Sequence, residues 1–468
     1  MFRAKVALSR AIGSASRATG KGGGTTLPGR VLLRLEPEAI ARLGARLQGG
    51  TTIVSATNGK TTTAGMIASL LAAEGRHPVH NRAGSNMTWG VATALLEQRG
   101  EEGLFEVDEA WLPRVSEQLK PSLIVLGNLF RDQLDRYGEM EALADEWAKT
   151  VAAREGKTAF ALNADDPLIA DLGRDEGERP REGVTYFGID DHSQALAQLQ
   201  HAFDAKHCRR CGHPYTYEVA FVGHLGHYSC PNCGAERPHA DVAATAIELR
   251  GMKGSVSTVR VPGGAEIRLE LPLPGLYNVY NALAAIAAGI RLGIEPQRIA
   301  AALAGARAAF GRVETIAVGG VPVSILLIKN PAGANEVLRT LQLEAESAPI
   351  DLWLALNDRI ADGRDVSWVW DADFELLADG VRRVVCSGTR APEMALRLKY
   401  AGWPEDRIEV VEGIEASLDA AVAAAGEIGA PIGDQKSPAR LFALPTYTAL
   451  IELRRLLAGR GLAKEFWE

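Results

Sequence analysis

The stretch Thr51-Thr-Ile-Val-Ser-Ala-Thr-Asn-Gly-Lys-Thr-Thr-Thr63 decides how the chain is read. Thr51 to Val54 are all β-branched and predict a strand that ends at Ser55. Small residues follow, and Thr61 opens a helical pattern with Ile67, Leu70 and Leu71 on one side. Strand, small-residue loop and helix, in that order, form a phosphate loop. Backbone N–H groups of the loop and helix start face a triphosphate, Lys60 reaches its outer phosphates, and the Thr61 hydroxyl suits Mg²⁺. The expected nucleotide contacts are therefore Thr57, Asn58, Gly59, Lys60, Thr61 and Thr62. Gly-Lys-Thr also begins ordinary helices, and Val54 stands where the common pattern has its first Gly, so the surrounding sequence has to decide.

That surrounding chain has 468 residues, 47% hydrophobic and 23% charged. At roughly 100–200 residues per domain it is long enough for two to four globular domains. No apolar run has the length of a membrane-spanning helix. The net charge of −7, from 51 basic and 58 acidic residues, argues against a nucleic-acid binder working by bulk charge. Residues 1–35 differ from the rest: Arg3, Lys5, Arg10, Arg17, Lys21, Arg30 and Arg34 occur without one acid. A solvated basic helix, attraction to an anionic surface, and a targeting segment all fit this leader.

Four of the five cysteines form Cys208-Arg-Arg-Cys211 and Cys230-Pro-Asn-Cys233, with eighteen residues between the pairs. A two-residue gap lets both thiolates of a pair face one tetrahedral cation, so the spacing predicts a zinc ribbon. Gly212 and Gly234 follow each second Cys and permit the positive φ that turns backbone N–H groups toward sulfur. Four protein ligands leave no open position, so the metal is expected to be structural. His207, His213, His224 and His227 lie nearby and are read as solvated loop residues. The fifth cysteine, Cys386, ends an apolar run without a nucleophile-elbow pattern and is read as a buried small hydrophobe.

Further segments give the phosphate loop its context. Ala56-Thr-Asn-Gly-Lys-Thr-Thr-Thr63 resembles the Gly-Thr-Asn-Gly-Lys-Thr-Thr loop of the Mur ligase family. Phe105-Glu-Val-Asp-Glu109, Asn128-Leu-Phe-Arg-Asp-Gln-Leu-Asp-Arg-Tyr-Gly138, Leu162-Asn-Ala-Asp-Asp166, Pro274-Gly-Leu-Tyr-Asn-Val-Tyr-Asn-Ala282 and Gly311-Arg-Val-Glu314 are similar to later landmarks of that family, in the family's order. A ribbon between the third and fourth of these, followed by Ile328-Lys-Asn-Pro-Ala-Gly-Ala-Asn335 and Asn357-Asp-Arg-Ile-Ala-Asp-Gly-Arg-Asp-Val-Ser-Trp-Val-Trp-Asp371, is similar to the family's amidating branch.

The resemblance implies ATP-dependent ligase chemistry with Mg²⁺ held by Thr61 and Glu106, Asp108 and Glu109 being nearby alternatives. It implies that Asn278 and Asn281 lie on the adenine side and that Arg312 holds phosphate across the domain gap. It implies amidation of the α-carboxylate of D-glutamate in lipid II, the lipid-linked peptidoglycan precursor, at the inner membrane face. Ammonia would come from a GatD-like glutaminase partner, and this chain would lend that partner's Cys–His pair an Asp: Asp365 first, with Asp371 and Asp362 behind it. Departures from the family pattern are Ala56 for a loop Gly, Gln133 for a metal-binding His, Tyr277 for a His, and Lys329-Asn330 for an Asp-Tyr-Ala-His-type segment.

Only fifty residues precede Thr51, too few for a separate domain gripping a UDP-linked substrate. Two other readings stay open. One is an amino-acid-adding ligase of the same fold; the other is a zinc-ribbon NTPase serving as a nucleic-acid or assembly module, against which the acidic charge and weakly aromatic ribbon count. The predicted architecture is α/β: a basic leader and helix at 1–50, a Mur-ligase-like ATP-binding domain at 51–308 with the ribbon inserted at 204–238, and a Rossmann-like α/β domain at 309–468 that contacts the glutaminase. A hairpin is expected around Pro262-Gly-Gly264, strands at Val321–Ile328, Leu352–Leu356, Arg383–Cys386 and Arg440–Leu444, and helices at Ala334–Leu343 and Pro392–Ala401. Gly426–Ser437 reads as a loop, and Trp368 and Trp370 fit either a partner-facing loop or one face of a strand.

Overall fold

The computed structural model describes residues 1–18, 26–81, 85–131, 140–175, 179–198, 200, 203–306, 313–427 and 440–463. Its first sheet grows around β1 (Thr51–Ser55), whose residues are all buried, as a strand covered on both faces must be. Ile53 enters the core on one face of the sheet and Val54 the core on the other. Parallel neighbours β3 (Gly103–Glu106) and β4 (Leu123–Leu126) flank β1, bringing Glu106 opposite Val54 and Leu126 opposite Ser55. Beyond β3 lies β2 (Val79–His80); beyond β4 lie β5 (Ala159–Asn163), β6 (Val184–Ile189), β9 (Val242–Leu249), β10 (Ser255–Arg260) and β11 (Glu266–Leu271). The strand order reverses at β1, so the loop after β1 opens into the crevice where open α/β sheets bind ligands. The strands from β9 to β11 are antiparallel, and β10 and β11 form the expected hairpin around Pro262-Gly-Gly264.

Helices Lys60–Ala73 and Leu276–Arg291 cover one face of this sheet, and Leu112–Leu119 and Met140–Arg154 the other. The Ala-rich sequence of Leu276–Arg291 suits close packing, since Ala282 to Ala288 are all buried. The leader is not set apart. Helices Phe2–Ala18, Leu27–Leu35 and Ala39–Gly44 lie on the first domain, and Leu32, Ala39, Ile40 and Leu43 are buried in the same core as Ile53 and Phe105. Its charges are partly used locally: Lys5 pairs with Glu36, and Arg10 donates to the Leu96 carbonyl.

The second sheet has the order β12 (Glu314–Val318), β13 (Val321–Ile325), β17 (Leu441–Pro445), β14 (Ile350–Ala355), β15 (Val381–Ser387) and β16 (Ile408–Val410). It is parallel except for β12. The strand expected through Ile328 closes at Ile325, although the N–H groups of Leu326 and Ile328 still donate to Ala443 and Pro445. The expected helices are found at Pro331–Ala345 and Ala391–Tyr400. The loop read from Gly426 begins inside the helix Ile414–Glu427, and residues 428–437 of it lie outside the described residues.

Asn163-Ala-Asp-Asp166, at the end of β5, ties the first domain together. Asp165 accepts from the Ile189 N–H at 2.8 Å, the Tyr280 hydroxyl at 2.7 Å and Arg237 Nε at 2.6 Å. Asp166 caps the short helix after it, through Leu168, and accepts from the Leu129 N–H at 2.8 Å. One dipeptide thus joins β6, the exit of the ribbon, the Leu276–Arg291 helix and the segment after β4. Removing the Asp165 carboxylate leaves Arg237 a buried cation with a weakened set of partners. Asp165→Ala is expected to cost about 3 kcal/mol or more in urea denaturation; a loss under about 1 kcal/mol would mean that Asp190 suffices for Arg237.

Candidate active site

The phosphate loop owes its shape to Gly59, which stands at φ +88°, where a side chain is strained. A Cβ there would lie 2.0 Å from Asn281 Oδ1, so glycine is required on steric grounds as well. Ala56, by contrast, does not have a positive φ, which explains why alanine serves in place of a loop glycine. Gly59 caps the helix Lys60–Ala73 without a side chain, leaving the first-turn N–H groups directed into the cleft. Asn128 straps the loop from behind: its amide accepts from the Asn58 N–H at 2.9 Å and donates to the Asn58 carbonyl at 3.1 Å. Thr57 bonds both the Asn128 carbonyl and the Phe130 N–H, and Thr62 lines the cleft.

Three acids at the end of β3 face this loop. Glu106, almost wholly buried, accepts from the Thr61 hydroxyl at 3.0 Å. Asn81 grips the Glu106 backbone at both its N–H and its carbonyl. The adjacent Thr61 and Glu106 oxygens are the hard donors that Mg²⁺ takes. Lys60 is turned back onto the Ala56 carbonyl and onto Glu109 Oε2, at 2.8 Å for the latter, in a buried ion pair. Burial opposes both charges, yet the carboxylates of Glu109, Asp108 and Glu106 hold the Lys60 ammonium above its ordinary value. Lys60, aided by Lys329, likewise outweighs burial and holds Glu109 below the usual carboxylate range. Burial and the Glu109 charge push Asp108 upward.

The second domain completes the cleft. Asn330 exchanges two amide hydrogen bonds with Asn58, at 3.1 and 3.2 Å, while capping the helix Pro331–Ala345 through the Gly333 N–H. Lys329 Nζ donates to the Thr57 carbonyl at 3.3 Å. Sequence reading treated Lys329-Asn330 only as a departure in the second domain; its contact with the phosphate loop, across more than 270 positions, has no local signal. Asn278 and Asn281 do line the cleft, but Asn281 is also a buttress, accepting from Thr63 and donating to Asn278. Val222, Leu225, Leu273, Tyr277, Val313 and Leu327 form an apolar end beyond the polar loop. Gln133 and Arg312 lie outside the described residues.

The four ribbon sulfurs lie within 4.8 Å of one another, with Cys208–Cys233 at 3.6 Å and Cys211–Cys230 at 3.5 Å. Sulfurs about 2.3 Å from a tetrahedral zinc would be about 3.8 Å apart, so the cluster fits such a metal. Gly212 and Gly234 have the expected positive φ, +72° and +75°. The expectation for the histidines fails at two of them. His224 is fully buried, its ring tilted against Phe130 at 4.8 Å with Nε2 3.5 Å from Asp166, and His227 is half-buried with Nε2 2.8 Å from the Ile189 carbonyl. Both belong to a hairpin that folds inward, and polarity alone had pointed them at water.

The acid-rich segment after β14 is a loop with two 3₁₀ turns, not a strand, so Trp368 and Trp370 do not share a strand face. Trp370 is 46% exposed and packs edge-on to Tyr400. Asp362 is buried and accepts from the Thr448 N–H and hydroxyl and from the Arg359 N–H; burial raises its carboxyl despite these donors. Asp371 pairs with Arg131 of the first domain at 3.3 Å. Asp365 is exposed, and Ser367, through its side chain and its backbone N–H at 2.8 Å, holds its carboxyl below the usual range. Burial pushes the Cys386 thiol up to about 12, which makes it inert as a nucleophile.

The Mur ligase middle domain is matched over residues 54–233 and the MurT ligase C-terminal domain over 327–450. The MurT subunit of a glutamine-hydrolysing lipid II isoglutaminyl synthase from Streptococcus pneumoniae is 33% identical across 95% of this chain and 94% of its own length. The Staphylococcus aureus subunit of the same name is 33% identical across 84% of this chain and 86% of its own length. Among solved structures, a type C pseudomurein peptide ligase from Methanothermus fervidus has the same fold, with a TM-score of 0.65 at 21% identity over 90% of this chain and 80% of that one.

Glu109→Gln leaves a buried ammonium without its counter-charge, an expected loss of about 3 kcal/mol. Nucleotide phosphates would supply the missing charge, so MgATP is expected to raise the variant's melting temperature more than the wild type's. Because folding lowers the Glu109 value, the wild-type advantage is complete above the ordinary carboxyl value, about 4.3. It declines as pH falls through the lowered value. Melting curves with and without MgATP across acidic and neutral pH check this; equal nucleotide shifts would show that Glu109 does not hold Lys60 in reserve.

Proposed function

This chain belongs to the MurT subunits of lipid II isoglutaminyl synthase, and from that premise we propose that it is the ATP-using ligase half of a glutamine-dependent amidotransferase of peptidoglycan synthesis. The observation that carries the reading is a phosphate loop bonded across the cleft by Lys329 and Asn330 of the second domain. Such a cleft holds a triphosphate on one side and presents the acceptor from the other. The acceptor is the α-carboxylate of D-glutamate in the lipid II stem peptide. Its oxygen attacks the γ-phosphorus, ADP leaves, and an acyl phosphate forms; ammonia then displaces inorganic phosphate to leave D-isoglutamine.

In this scheme the loop N–H groups from Gly59 to Thr62 hold the phosphates, with Asn58 and Thr57 beside them, and Lys60 leaves Glu109 to follow the developing charge. Thr61 and Glu106 would hold Mg²⁺, which supplies charge neutralisation. Lys329 adds positive charge from across the gap, and Arg312 is proposed to do the same. Asn278 and Asn281 serve the nucleoside side. The ribbon cysteines hold a structural zinc. Ammonia comes from a GatD-like glutaminase, since the one cysteine outside the ribbon is buried. Asp365, exposed and held as an anion, is the proposed third member of that partner's Cys–His pair, ahead of Asp371 and Asp362, which are engaged within the chain. Among the described residues no helix is long and apolar enough to cross a membrane. Lipid II is proposed to be met at the inner face of the membrane.

Lys60→Ala is expected to lower amidation by at least about 100-fold in a chain that still folds, with a lowered melting temperature because Glu109 loses its buried partner, measured with lipid II, MgATP and ammonium. Near-normal turnover would remove the phosphate-loop assignment. In the complex with the glutaminase, Asp365→Asn is expected to cut glutamine-driven amidation by about 100-fold while sparing the ammonium-driven reaction. If both rates stay at wild-type levels, the two subunits do not share that group. Elemental analysis is expected to find one zinc per chain, and Cys208→Ser to lower the melting temperature more than the ammonium-driven rate; a folded protein without metal would contradict the ribbon assignment.

A further inference from the structure

The ribbon reaches further than its cysteines. Its hairpin, β7 (Thr216–Val222) and β8 (Leu225–Ser229), carries the cysteine pairs at one end, while Phe221, Val222 and Leu225 at the other end are buried in the first domain's main core. The cysteine end has little core of its own: Cys208, Cys230 and Ala235. The tip is tied down repeatedly. Gly226 N–H donates to the Asp165 carbonyl at 2.9 Å, Gly223 N–H to Gln200 at 2.8 Å, and the His224 ring packs tilted against Phe130. Gly226 admits no side chain, since a Cβ would lie 2.1 Å from the Val219 carbonyl oxygen.

Two features of this tip concern the nucleotide. Val222 and Leu225 form part of the apolar end of the cleft, next to Phe130 and opposite Leu327 of the second domain. Arg339, on the second domain's helix Pro331–Ala345, donates to the Phe221 carbonyl at 2.6 Å while pairing with Glu336 at 2.9 Å. Glu336 also lines the cleft and is almost wholly buried. The same helix carries Asn330 as its cap, so the contacts that close the phosphate end and the tip end of the cleft move as one body.

We propose that the ribbon hairpin is a positioning element for the nucleotide: its tip is the wall against which the base lies, and Arg339 locks the second domain onto that wall. This rests on the ATP-binding reading above. The face of a flat aromatic base fits the Val222–Leu225 wall, whereas the phosphates meet the loop and the charges that face it.

Tripolyphosphate separates the two ends, because it has the charge of the triphosphate and no base. Calorimetric titration of the full-length chain with MgATP and with Mg-tripolyphosphate is the test, with zinc content and melting temperature recorded for each variant. Leu225→Ala is expected to weaken MgATP by about 10-fold, leave tripolyphosphate within about 2-fold of wild type, and raise KM for ATP with kcat retained. Arg339→Met is expected to weaken MgATP several-fold with zinc still bound, and Arg339→Lys, which keeps a donor for the Phe221 carbonyl, to recover part of that loss. Leu225→Val replaces Leu225→Ala if the latter does not fold. Unchanged MgATP affinity in the Leu225 and Arg339 variants would overturn the proposal, as would equal weakening of MgATP and tripolyphosphate, which reports general loosening. A wild-type chain that binds neither ligand would instead overturn the ATP-site reading itself.

Discussion

A glycine pressed against an asparagine sets the geometry of the cleft. Gly59 combines a left-handed backbone angle with a gap to Asn281 that has no room for a methyl group. That close approach fixes where the helix Lys60–Ala73 begins, and so where Lys60 and Thr61 stand relative to Glu106 and Glu109 at the end of β3. It also joins the loop to the Leu276–Arg291 helix, whose Tyr280 reaches Asp165 and, through it, the ribbon exit at Arg237. The loop is therefore held from three directions: by Asn281 below, Asn128 behind and Asn330 across the domain gap.

The buried Lys60–Glu109 pair gives this rigid frame a group that can change partners. The paired carboxylates keep the buried Lys60 charged despite its desolvation, and we propose that it follows negative charge when phosphates arrive. Asp108, pushed toward the neutral form by burial and by Glu109, limits the negative charge massed at this point. Fold alone would not distinguish amidation from amino-acid addition, because a peptide ligase shares this fold over 90% of the chain. We propose that the distinction lies in residues outside the common loop, among them Lys329-Asn330, the ribbon, and the exposed Asp365.

What was legible in the sequence was local. The strand, loop and helix from Thr51 to Ala73 follow from β-branched residues, small residues and apolar spacing read in order, and the ribbon follows from two CxxCG pairs. The hairpin around Pro262-Gly-Gly264 was legible for the same reason. What escaped was contact between distant segments. Nothing near Lys329 announces that it will bond to Thr57, and nothing near Leu225 announces that a metal ribbon will turn its far end into the cleft. His224 was misread because a polar residue in a turn is ordinarily at the surface; here the turn is driven inward by Phe221, Val222 and Leu225. The leader was misread in part because its charges stand out more than Leu32, Ala39, Ile40 and Leu43, which bind it to the core.

Activation of a carboxylate by phosphorylation in this cleft is the central step of the proposed function. The most direct measurement is the fate of ¹⁸O placed in the α-carboxylate of the stem-peptide D-glutamate during ammonium-driven turnover. An acyl phosphate requires that each amide formed release a phosphate carrying one oxygen from that carboxylate, so the inorganic phosphate should carry a single label. Amide accumulating alongside wholly unlabelled phosphate would contradict the mechanism.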